Sequence, residues 1–332
     1  MAKKVFIKRK IGILIQNPLM ERESMEQLIT IDQAETLHGT LTVPDNRHEK
    51  IPGVLIIGGS GPVDRDGNAP RMKLNIYNQL AAWLEKQGIA ALRYDKRGTG
   101  SSEGDFRETG LQDLIEDAAA AVRLLKMIPE IDEDKIFILG HSEGGAIAPK
   151  VAEKEKVQGL MTLASSPKPL FDILLEQGES VEREISEGKG IFYRALKTGK
   201  VNKRIIKKQH KVLKELLDEE ASKKYKNVNV KWFQEHADYD PREAFHRMRI
   251  PVIAVNGGKD AQVKAEDVSA IAQHTSGPVE VYVVEEMNHI LRHQPEEFSI
   301  MKTKRRYLKQ QNDNLSHELL DHLHPWLQKQ IQ

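Results

Sequence analysis

Residues 136–145 read Ile-Phe-Ile-Leu-Gly-His-Ser-Glu-Gly-Gly, and they give the strongest indication of how the chain folds. Its first four residues are apolar and predict a buried strand, and the small residues from Gly145 onward predict the start of a helix. Between them, Gly140 to Gly144 fits the pattern G-x-S-x-G, in which a serine lies on a tight, strained turn with its hydroxyl exposed above a sheet. Glycines are needed there because side chains would clash with the close packing of strand against helix. Ser142 is therefore a candidate nucleophile.

The length and composition are those of a globular α/β protein with an insertion. The chain has 332 residues, of which 39% are hydrophobic and 30% charged, and its formal net charge is +1. This balance excludes a disordered chain and a dedicated nucleic-acid-binding protein. The sequence contains no cysteine, which excludes disulfides, thiolate metal sites and a cysteine nucleophile and fits a reducing cytoplasm.

The first 24 residues are interpreted as an N-terminal extension. They begin with a basic stretch, and the apolar residues 11–15 are followed by Asn17 and Pro18. A signal peptide needs a longer apolar stretch and a small-residue cleavage site, and no run of the sequence approaches the length of a membrane span. We therefore expect a cytoplasmic protein without stable membrane insertion, with secretion to the cell surface as the alternative.

Strand and helix patterns alternate along most of the chain, after a β-hairpin or meander predicted at residues 25–43. Strands are predicted at 54–57, 89–94, 136–139, 157–163, 251–256 and 279–284, and helices at 77–87, 111–127 and 316–330. Such alternation predicts an α/β fold with a mostly parallel central sheet and helices on both faces. In such sheets the ligand site lies at the carboxyl ends of the strands.

One segment, residues 168–247, interrupts this alternation. It contains several amphipathic helical stretches and no convincing strand. We therefore divide the chain into an N-terminal extension (1–24), an α/β core (25–167 and 248–332) and a helical cap (168–247). An insertion at this point is expected to lie over the carboxyl ends of the strands, where Ser142 lies.

A serine nucleophile needs a neighbouring base, which in turn needs a carboxylate to orient it. In this class of fold the chain order is serine, acid, histidine. Asp260 follows the predicted strand 251–256 in a glycine-rich turn, and His289 follows the strand 279–284. Each alone would be an ordinary loop residue, but their order and their positions predict a triad with Ser142. The weaker alternatives are Glu266 and Asp267 for the acid, and His293, His322 and His324 for the base.

The negatively charged oxygen formed during acyl transfer needs two backbone donors. One is expected to be the N–H group of Glu143, directly after the nucleophile. The other is expected in the loop of residues 58–62, Gly-Gly-Ser-Gly-Pro, from Ser60 or Gly61. The alternative for this loop is an ordinary glycine-rich surface turn. It lacks the Lys-Ser/Thr pair of a phosphate-binding loop, and no zinc-type histidine cluster is present, so we expect no cofactor and no metal.

Two charged stretches near these loops are interpreted as structural. Asp64, Arg65 and Asp66 alternate in charge beside the glycine-rich loop. They are expected to form an ion-paired clamp on that loop, with a substrate contact as the alternative. Residues 95–98, Asp-Lys-Arg-Gly, are expected to brace the loops of the active site.

Four blocks of the sequence resemble the α/β-hydrolase superfamily, in a branch of bacterial serine esterases and acyl-peptidase-like proteins. The blocks are Gly58–Asn68, Arg93–Ser101, Gly140–Gly145, and Tyr239–Pro241 followed by Pro251-Val and Asp260–Val263. The likeness extends over nearly the whole chain from about residue 25. It implies hydrolysis of carboxylic esters with Ser142, Asp260 and His289 as the triad. Dehalogenases and epoxide hydrolases of the superfamily use an aspartate as nucleophile and dienelactone hydrolases a cysteine, and neither matches this sequence.

The sequence therefore predicts a serine hydrolase of the carboxylesterase type, which cleaves small-molecule esters through an acyl-enzyme and binds no nucleic acid. Two alternatives stay open. The same triad would cleave amides in an acyl-peptidase or aminopeptidase, and a catalytically silent protein of this fold would only bind a ligand.

The predicted cap carries the residues that would select a substrate. Trp232, Phe233 and Tyr239 are candidates for an aromatic pocket wall, the alternative being that they hold the cap to the core. Residues 194–214 contain nine basic side chains and no acidic one, beside an apolar helical stripe. We interpret this basic face as a solvated surface balanced by the acidic residues of 176–187, with attraction of anionic substrates as the alternative.

Overall fold

The computed structural model describes residues 25–45 and 50–332, so the N-terminal extension predicted for residues 1–24 lies outside the described residues. Within the described part, eight strands form one sheet. Their ranges are Met25–Ile31 (β1), Leu37–Val43 (β2), Ile51–Ile57 (β3), Ala90–Tyr94 (β4), Ile131–His141 (β5), Gly159–Leu163 (β6), Val252–Gly257 (β7) and Val279–Val284 (β8).

The same part of the chain contains twelve α-helices and two short 3-10 helices. The α-helices are Ile76–Lys86 (α1), Leu111–Lys126 (α2), Glu143–Lys154 (α3), Leu170–Glu187 (α4), Ile191–Thr198 (α5), Val201–Leu216 (α6), Ala221–Lys224 (α7), Val230–Ala237 (α8), Pro241–Arg247 (α9), Asp267–His274 (α10), Thr303–Lys309 (α11) and His317–Ile331 (α12). The 3-10 helices are Phe106–Glu108 and Ile300–Lys302.

The sheet has the strand order β1-β2-β4-β3-β5-β6-β7-β8. The β1–β2 and β2–β4 pairs are antiparallel, and every pair from β4 to β8 is parallel. The predicted α/β class and the predicted hairpin at residues 25–43 are therefore confirmed. Because the six strands from β4 to β8 run in one direction, the loops that leave their carboxyl ends meet along one edge.

Alternate residues of β5 show how the core covers both faces of the sheet. Ile136 and Ile138 belong to a cluster that packs against α2 and α3, whereas Phe137 and Leu139 belong to a second cluster that packs against α1 and α12. All four side chains are fully buried. A strand that is covered on both faces has no polar side, which explains the continuous apolar run in the sequence.

The strand β5 is longer than the sequence pattern predicts. It begins at Ile131, which pairs with Ile51, and a register shift separates this pairing from the regular ladder at Gly53. The intervening residues 132–135 are charged and largely exposed, and charged residues are rare in strands. Apolar periodicity therefore detects only the part of this strand that lies in the core.

Residues 168–247, all of them described, form six helices (α4 to α9) and no strand. The helix α8 is bound to the core, because the Asn229 side chain donates to the carbonyl oxygens of Phe106 (2.6 Å) and Thr109 (2.8 Å), and Lys231 pairs with Asp113 (2.6 Å). Helices α5 and α6 instead pack on α4. Across residues 25–45 and 50–332, no helix has both the length and the apolar character required to cross a bilayer.

Candidate active site

Ser142 occupies a strained turn between β5 and α3. Its backbone has φ 55° and ψ −119°, a conformation that a residue with a side chain adopts only when its surroundings hold it there. Its N–H group donates to Leu163 O at 2.9 Å, and its carbonyl oxygen accepts from the Ser165 hydroxyl at 2.9 Å. A Cβ atom on Gly144 would lie 2.2 Å from the carbonyl oxygen of Ile57, so the helix approaches β3 as closely as only glycine allows.

Asp260 and His289 lie in contact at the ends of β7 and β8. The Nδ1 atom of His289 is 2.8 Å from Asp260 Oδ2, and both side chains are buried. The second carboxylate oxygen of Asp260 accepts the backbone N–H groups of Gln262 (2.7 Å) and Val263 (3.0 Å). With Nδ1–H donating to the carboxylate, the Nε2 atom is left as the proton acceptor.

The alternative acids and bases have other surroundings. Asp267 forms an ion pair with Lys168 at 2.8 Å, and His293 faces Glu286 at 3.5 Å. The remaining histidines considered, His322 and His324, belong to α12, and Glu266 stands directly before α10. Of these candidates, Asp260 and His289 are the acidic residue and the histidine that the structure places in contact.

Ser142 meets the His289 loop through its neighbour His141. The rings of His141 and His289 lie with their centroids 5.0 Å apart, and His141 Nε2 is 2.8 Å from the carbonyl oxygen of His289. The Ser142 hydroxyl itself makes no hydrogen bond to His289 among the described contacts. Contacts of this kind commonly shorten only when a substrate is bound.

A chain of hydrogen bonds that sequence reasoning missed runs through His141. The N–H group of Gly59 donates to the Tyr77 hydroxyl (2.7 Å), which donates to His141 Nδ1 (3.0 Å), and His141 Nε2–H donates to His289 O. Burial lowers the pKa of His141 to about 3. His141 is therefore neutral, and each of its two nitrogens has a fixed role.

The predicted backbone donors belong to Glu143, which follows Ser142 directly, and to Ser60 or Gly61 in the loop after β3. Glu143 is the first residue of α3, and neither its N–H group nor that of Ser60 has an acceptor among the described residues. A Cβ atom on Gly59 would lie 3.1 Å from the Cβ atom of Ser142, so the glycine-rich loop passes directly against the nucleophile. Because Gly59 N–H is bound to Tyr77, the next free donor along this loop is Ser60.

The Glu143 side chain is the centre of a buried polar cluster. Its Oε1 atom accepts from Trp232 Nε1 (2.5 Å) and lies 3.2 Å from His236 Nε2, and its Oε2 atom faces Lys96 Nζ at 3.9 Å. Burial alone would raise the pKa of Glu143, but the contacts with His236 and Lys96 hold it below its usual range. The carboxylate is therefore charged, with two partners at Oε1 and the ammonium group of Lys96 facing Oε2.

Two of the three predicted pocket residues fasten the helical segment to α3. Trp232 binds Glu143, and the Tyr239 hydroxyl donates to the carbonyl oxygen of Ala146 at 2.7 Å. Phe233 packs edge-to-face with Phe171, with their centroids 6.4 Å apart. These contacts match the alternative in which the aromatic residues hold the helical segment to the core.

Two of the three residues predicted to form an ion-paired clamp after β3, Arg65 and Asp66, form ion pairs. The third, Asp64, instead accepts the backbone N–H groups of Asp66 (3.0 Å) and Asn68 (2.8 Å) in its own loop. Arg65 binds Asp95 through its backbone N–H group (2.7 Å) and its guanidinium (2.5 Å), and Asp66 binds Arg93 (2.7 Å). Although burial favours the neutral carboxyl, the hydrogen bonds from Arg65 keep the pKa of Asp95 lowered. Across the part of the chain that the structure describes, no group of three or more His, Asp or Glu side chains is arranged to hold a metal ion.

Comparisons with known proteins agree with this architecture. The sequence model of a family described as serine aminopeptidase, S33, matches residues 72–296, more than half of the chain. The esterase EstD of Thermotoga maritima is 28% identical over 257 residues, which cover 77% of this chain and 58% of EstD. This chain thus spans little more than half the length of that relative.

Two solved structures share the fold at low sequence identity. The Pyrococcus furiosus esterase PF2001 has a TM-score of 0.56 and 16% identity, with 100% of this chain and 99% of that chain covered. Est1E of Butyrivibrio proteoclasticus, solved with bound ferulic acid, has a TM-score of 0.55 and 17% identity, covering 86% of this chain and 98% of its own. At these sequence identities, each structure shows a similarity of fold only.

Proposed function

The chain belongs to the serine aminopeptidase S33 family of α/β hydrolases, and from this premise we propose that it is a serine carboxylesterase that acts through an acyl-enzyme. The observation that carries the proposal is the Asp260–His289 hydrogen bond of 2.8 Å at the same sheet edge as the strained turn of Ser142. A hydrolase with esterase-type activity is supported independently by the similarity to EstD.

In the proposed reaction, His289 Nε2 removes the proton of the Ser142 hydroxyl as its oxygen attacks the ester carbonyl carbon. Asp260 holds the imidazole in the required tautomer and stabilises the imidazolium that forms. The backbone N–H groups of Glu143 and Ser60 bind the oxyanion. His289 then protonates the leaving alcohol, and water, activated by the same imidazole, releases the acid from Ser142.

The surroundings of Glu143 favour esters over peptides with a free amino terminus. An aminopeptidase needs a carboxylate that is free to bind the substrate's ammonium group, and Glu143 is the acidic residue next to the nucleophile. Its oxygens instead contact Trp232, His236 and Lys96. An ammonium group would have to displace these partners, whereas an ester needs no such anchor.

Amide cleavage is the second candidate, because the matched family is described as serine aminopeptidase. It uses the same triad and differs in the leaving group, which His289 would protonate as an amine. Comparing hydrolysis of p-nitrophenyl acetate with that of aminoacyl p-nitroanilides separates the two functions. We expect kcat/KM for p-nitrophenyl acetate to exceed kcat/KM for each aminoacyl p-nitroanilide tested, whatever its amino acid.

We further propose that helices α4 to α9, residues 168–247, form a cap beside the nucleophile. The bonds from Trp232 to Glu143 and from Tyr239 to the carbonyl oxygen of Ala146 support this, because each links the segment to the first turns of α3. The aromatic pair Phe171 and Phe233 then becomes the candidate for contact with the acyl group. An ester series of increasing acyl length, assayed on wild type and Phe233→Ala, tests this assignment.

The substitution Ser142→Ala tests the catalytic proposal. We expect the turnover of p-nitrophenyl esters to fall by a factor of about 10⁴–10⁶, as when other serine triads lose their nucleophile. A fluorophosphonate probe should label the wild type at Ser142 and leave the variant unlabelled. Ser222→Ala, at an exposed serine of α7, is the matched control and should behave as wild type. Retained turnover in Ser142→Ala would contradict the proposal.

A further inference from the structure

Lys96 is a buried lysine next to the candidate active site, and the proposed reaction does not use it. It follows β4, and only 6% of the residue is exposed. Its Nζ atom donates to the carbonyl oxygen of Gly59 at 2.6 Å, lies 3.9 Å from Glu143 Oε2 and stands 5.7 Å from the ring centre of Phe106. Burying an ammonium group is costly unless it is paired and hydrogen-bonded. In Lys96 the carbonyl oxygen of Gly59 and the carboxylate of Glu143 offset this cost.

The contact with Gly59 fixes the direction of the neighbouring N–H group. The Gly59–Ser60 peptide bond is trans, and in a planar trans peptide the C=O and N–H bonds point in opposite directions. Since Lys96 holds the carbonyl oxygen of Gly59, the N–H group of Ser60 must point away from Lys96. That N–H group has no acceptor among the described residues.

Gly59 is held at its other end as well. Its own N–H group donates to the Tyr77 hydroxyl at 2.7 Å, and Tyr77 is bound in turn to His141. With one peptide unit held by Tyr77 and the next by Lys96, the backbone of Gly59 is fixed on both sides. A Cβ atom on this residue would lie 3.1 Å from the Cβ atom of Ser142.

The charge of Lys96 adds to this geometric effect. A cation at the carbonyl oxygen draws electron density from the amide and makes its N–H group a stronger donor, and the effect is larger in a buried, low-dielectric site. Glu143 lies opposite Lys96, and the N–H group of Glu143 is the other candidate donor. The Lys96–Glu143 ion pair therefore joins the side chain that holds the Gly59–Ser60 peptide unit to the residue that supplies the other N–H group.

We propose that Lys96 is the positioning residue of the oxyanion hole, which aims and polarises the N–H group of Ser60 while its ion pair with Glu143 keeps the ammonium group in place. This inference rests on the proposed function, because an oxyanion must form for the N–H group to bind it. It assigns Lys96 no contact with the substrate.

A comparison of oxygen and sulfur esters in Lys96→Met tests the proposal. Sulfur accepts hydrogen bonds poorly, so an enzyme with a well-aimed oxyanion hole hydrolyses an ester faster than the matching thionoester (C=S in place of C=O). Methionine nearly matches the length of lysine but carries no charge and no donor. We expect kcat for a p-nitrophenyl ester to fall about 10- to 100-fold, less than or equal to the loss on deleting an oxyanion donor. KM should stay within about twofold, and the ester-to-thionoester ratio should fall about tenfold.

Arg65→Met is the matched control, because Arg65 is also a basic residue that holds this loop, through Asp95. It should lower stability and leave the ester-to-thionoester ratio at the wild-type value. If Lys96→Met does not fold, Lys96→Gln replaces the cation by a neutral amide and should lower the same ratio.

The outcomes separate this inference from the proposed function. If Ser142→Ala loses activity but the folded Lys96 variants keep the wild-type ratio, the role of Lys96 is wrong and the esterase proposal stands. If Ser142→Ala keeps its activity, the proposed function itself is wrong. A lowered ratio in the Lys96 variants, with Arg65→Met unchanged, supports the inference.

Discussion

Replacing His141 with glutamine should change how the stability of the fold depends on pH. Wild-type His141 is buried between Tyr77 and the His289 loop, and burial lowers its pKa to about 3. In the unfolded chain a histidine titrates near pH 6.5. Below about pH 6.5 the unfolded chain therefore binds a proton at this position and the folded protein does not.

Because the unfolded chain binds the extra proton, the free energy of unfolding decreases as the pH falls. Each pH unit below the unfolded pKa lowers the free energy of unfolding by about 1.4 kcal/mol, until the pH approaches the folded pKa. Between about pH 6.5 and about pH 4.5 the contribution of His141 is a loss of roughly 2–3 kcal/mol. Glutamine does not titrate, so His141→Gln removes this part of the pH dependence.

At neutral pH we expect the variant to be less stable than wild type by about 1–2 kcal/mol, since one hydrogen bond of the chain is lost. As the pH falls to about 4.5, this difference should shift by roughly 2–3 kcal/mol in favour of the variant, so that His141→Gln becomes as stable as wild type or more stable. Urea unfolding at several pH values, followed by tryptophan fluorescence, measures both quantities. His324→Gln, at an exposed position of α12, is the control and should leave the pH dependence unchanged. Parallel stability profiles for wild type and His141→Gln would refute a neutral, buried imidazole.

Three further substitutions test other parts of the site. Asp260→Asn should lower kcat about 10³- to 10⁴-fold because the imidazole loses its orientation, whereas Asp267→Asn should keep wild-type turnover; equal losses would contradict the choice of acid. Gly144→Ala would place a methyl group 2.2 Å from a backbone oxygen of β3, and it should destabilise the fold by about 3 kcal/mol or more in urea unfolding. Gly88→Ala, in open space at φ 79°, should cost only about 1 kcal/mol. Tyr239→Phe should cost about 1 kcal/mol of stability without changing acyl-length preference, and a changed preference would restore the pocket role.

The sequence predicted the elements whose signal is local. The strand before Ser142, the helix after it and the positions of Asp260 and His289 behind β7 and β8 all follow from short apolar runs that end in glycine-rich or polar turns. The first residues of β5 were missed because they lie outside the core, where charged side chains hide the strand pattern.

The parts of the site that the sequence did not reveal depend on distant partners. Lys96 and Gly59 are 37 residues apart, and His141 and His289 are 148 residues apart. A lysine in a charged turn and a histidine beside a serine both resemble surface residues until the fold places a carbonyl oxygen against each. The sequence offered Glu143 as a backbone donor and, in the aminopeptidase alternative, as a carboxylate anchor for a substrate terminus. Nothing near it in sequence indicated that Trp232 and His236 would bind that carboxylate.

Helix α8 and the pair α5 and α6 should tolerate changes of sequence to different degrees. Changing α8 would remove Trp232 and His236 from the buried carboxylate of Glu143, next to Ser142, so we expect α8 to vary only together with the turn it supports. Helices α5 and α6 rest on α4, and α5 leaves Ile191 and Phe192 largely exposed. Because Leu216 of α6 shares a buried cluster with Val230 of α8, the element most open to change in length and sequence is α5, and we expect substitutions on its exposed face to leave the Glu143 contacts intact.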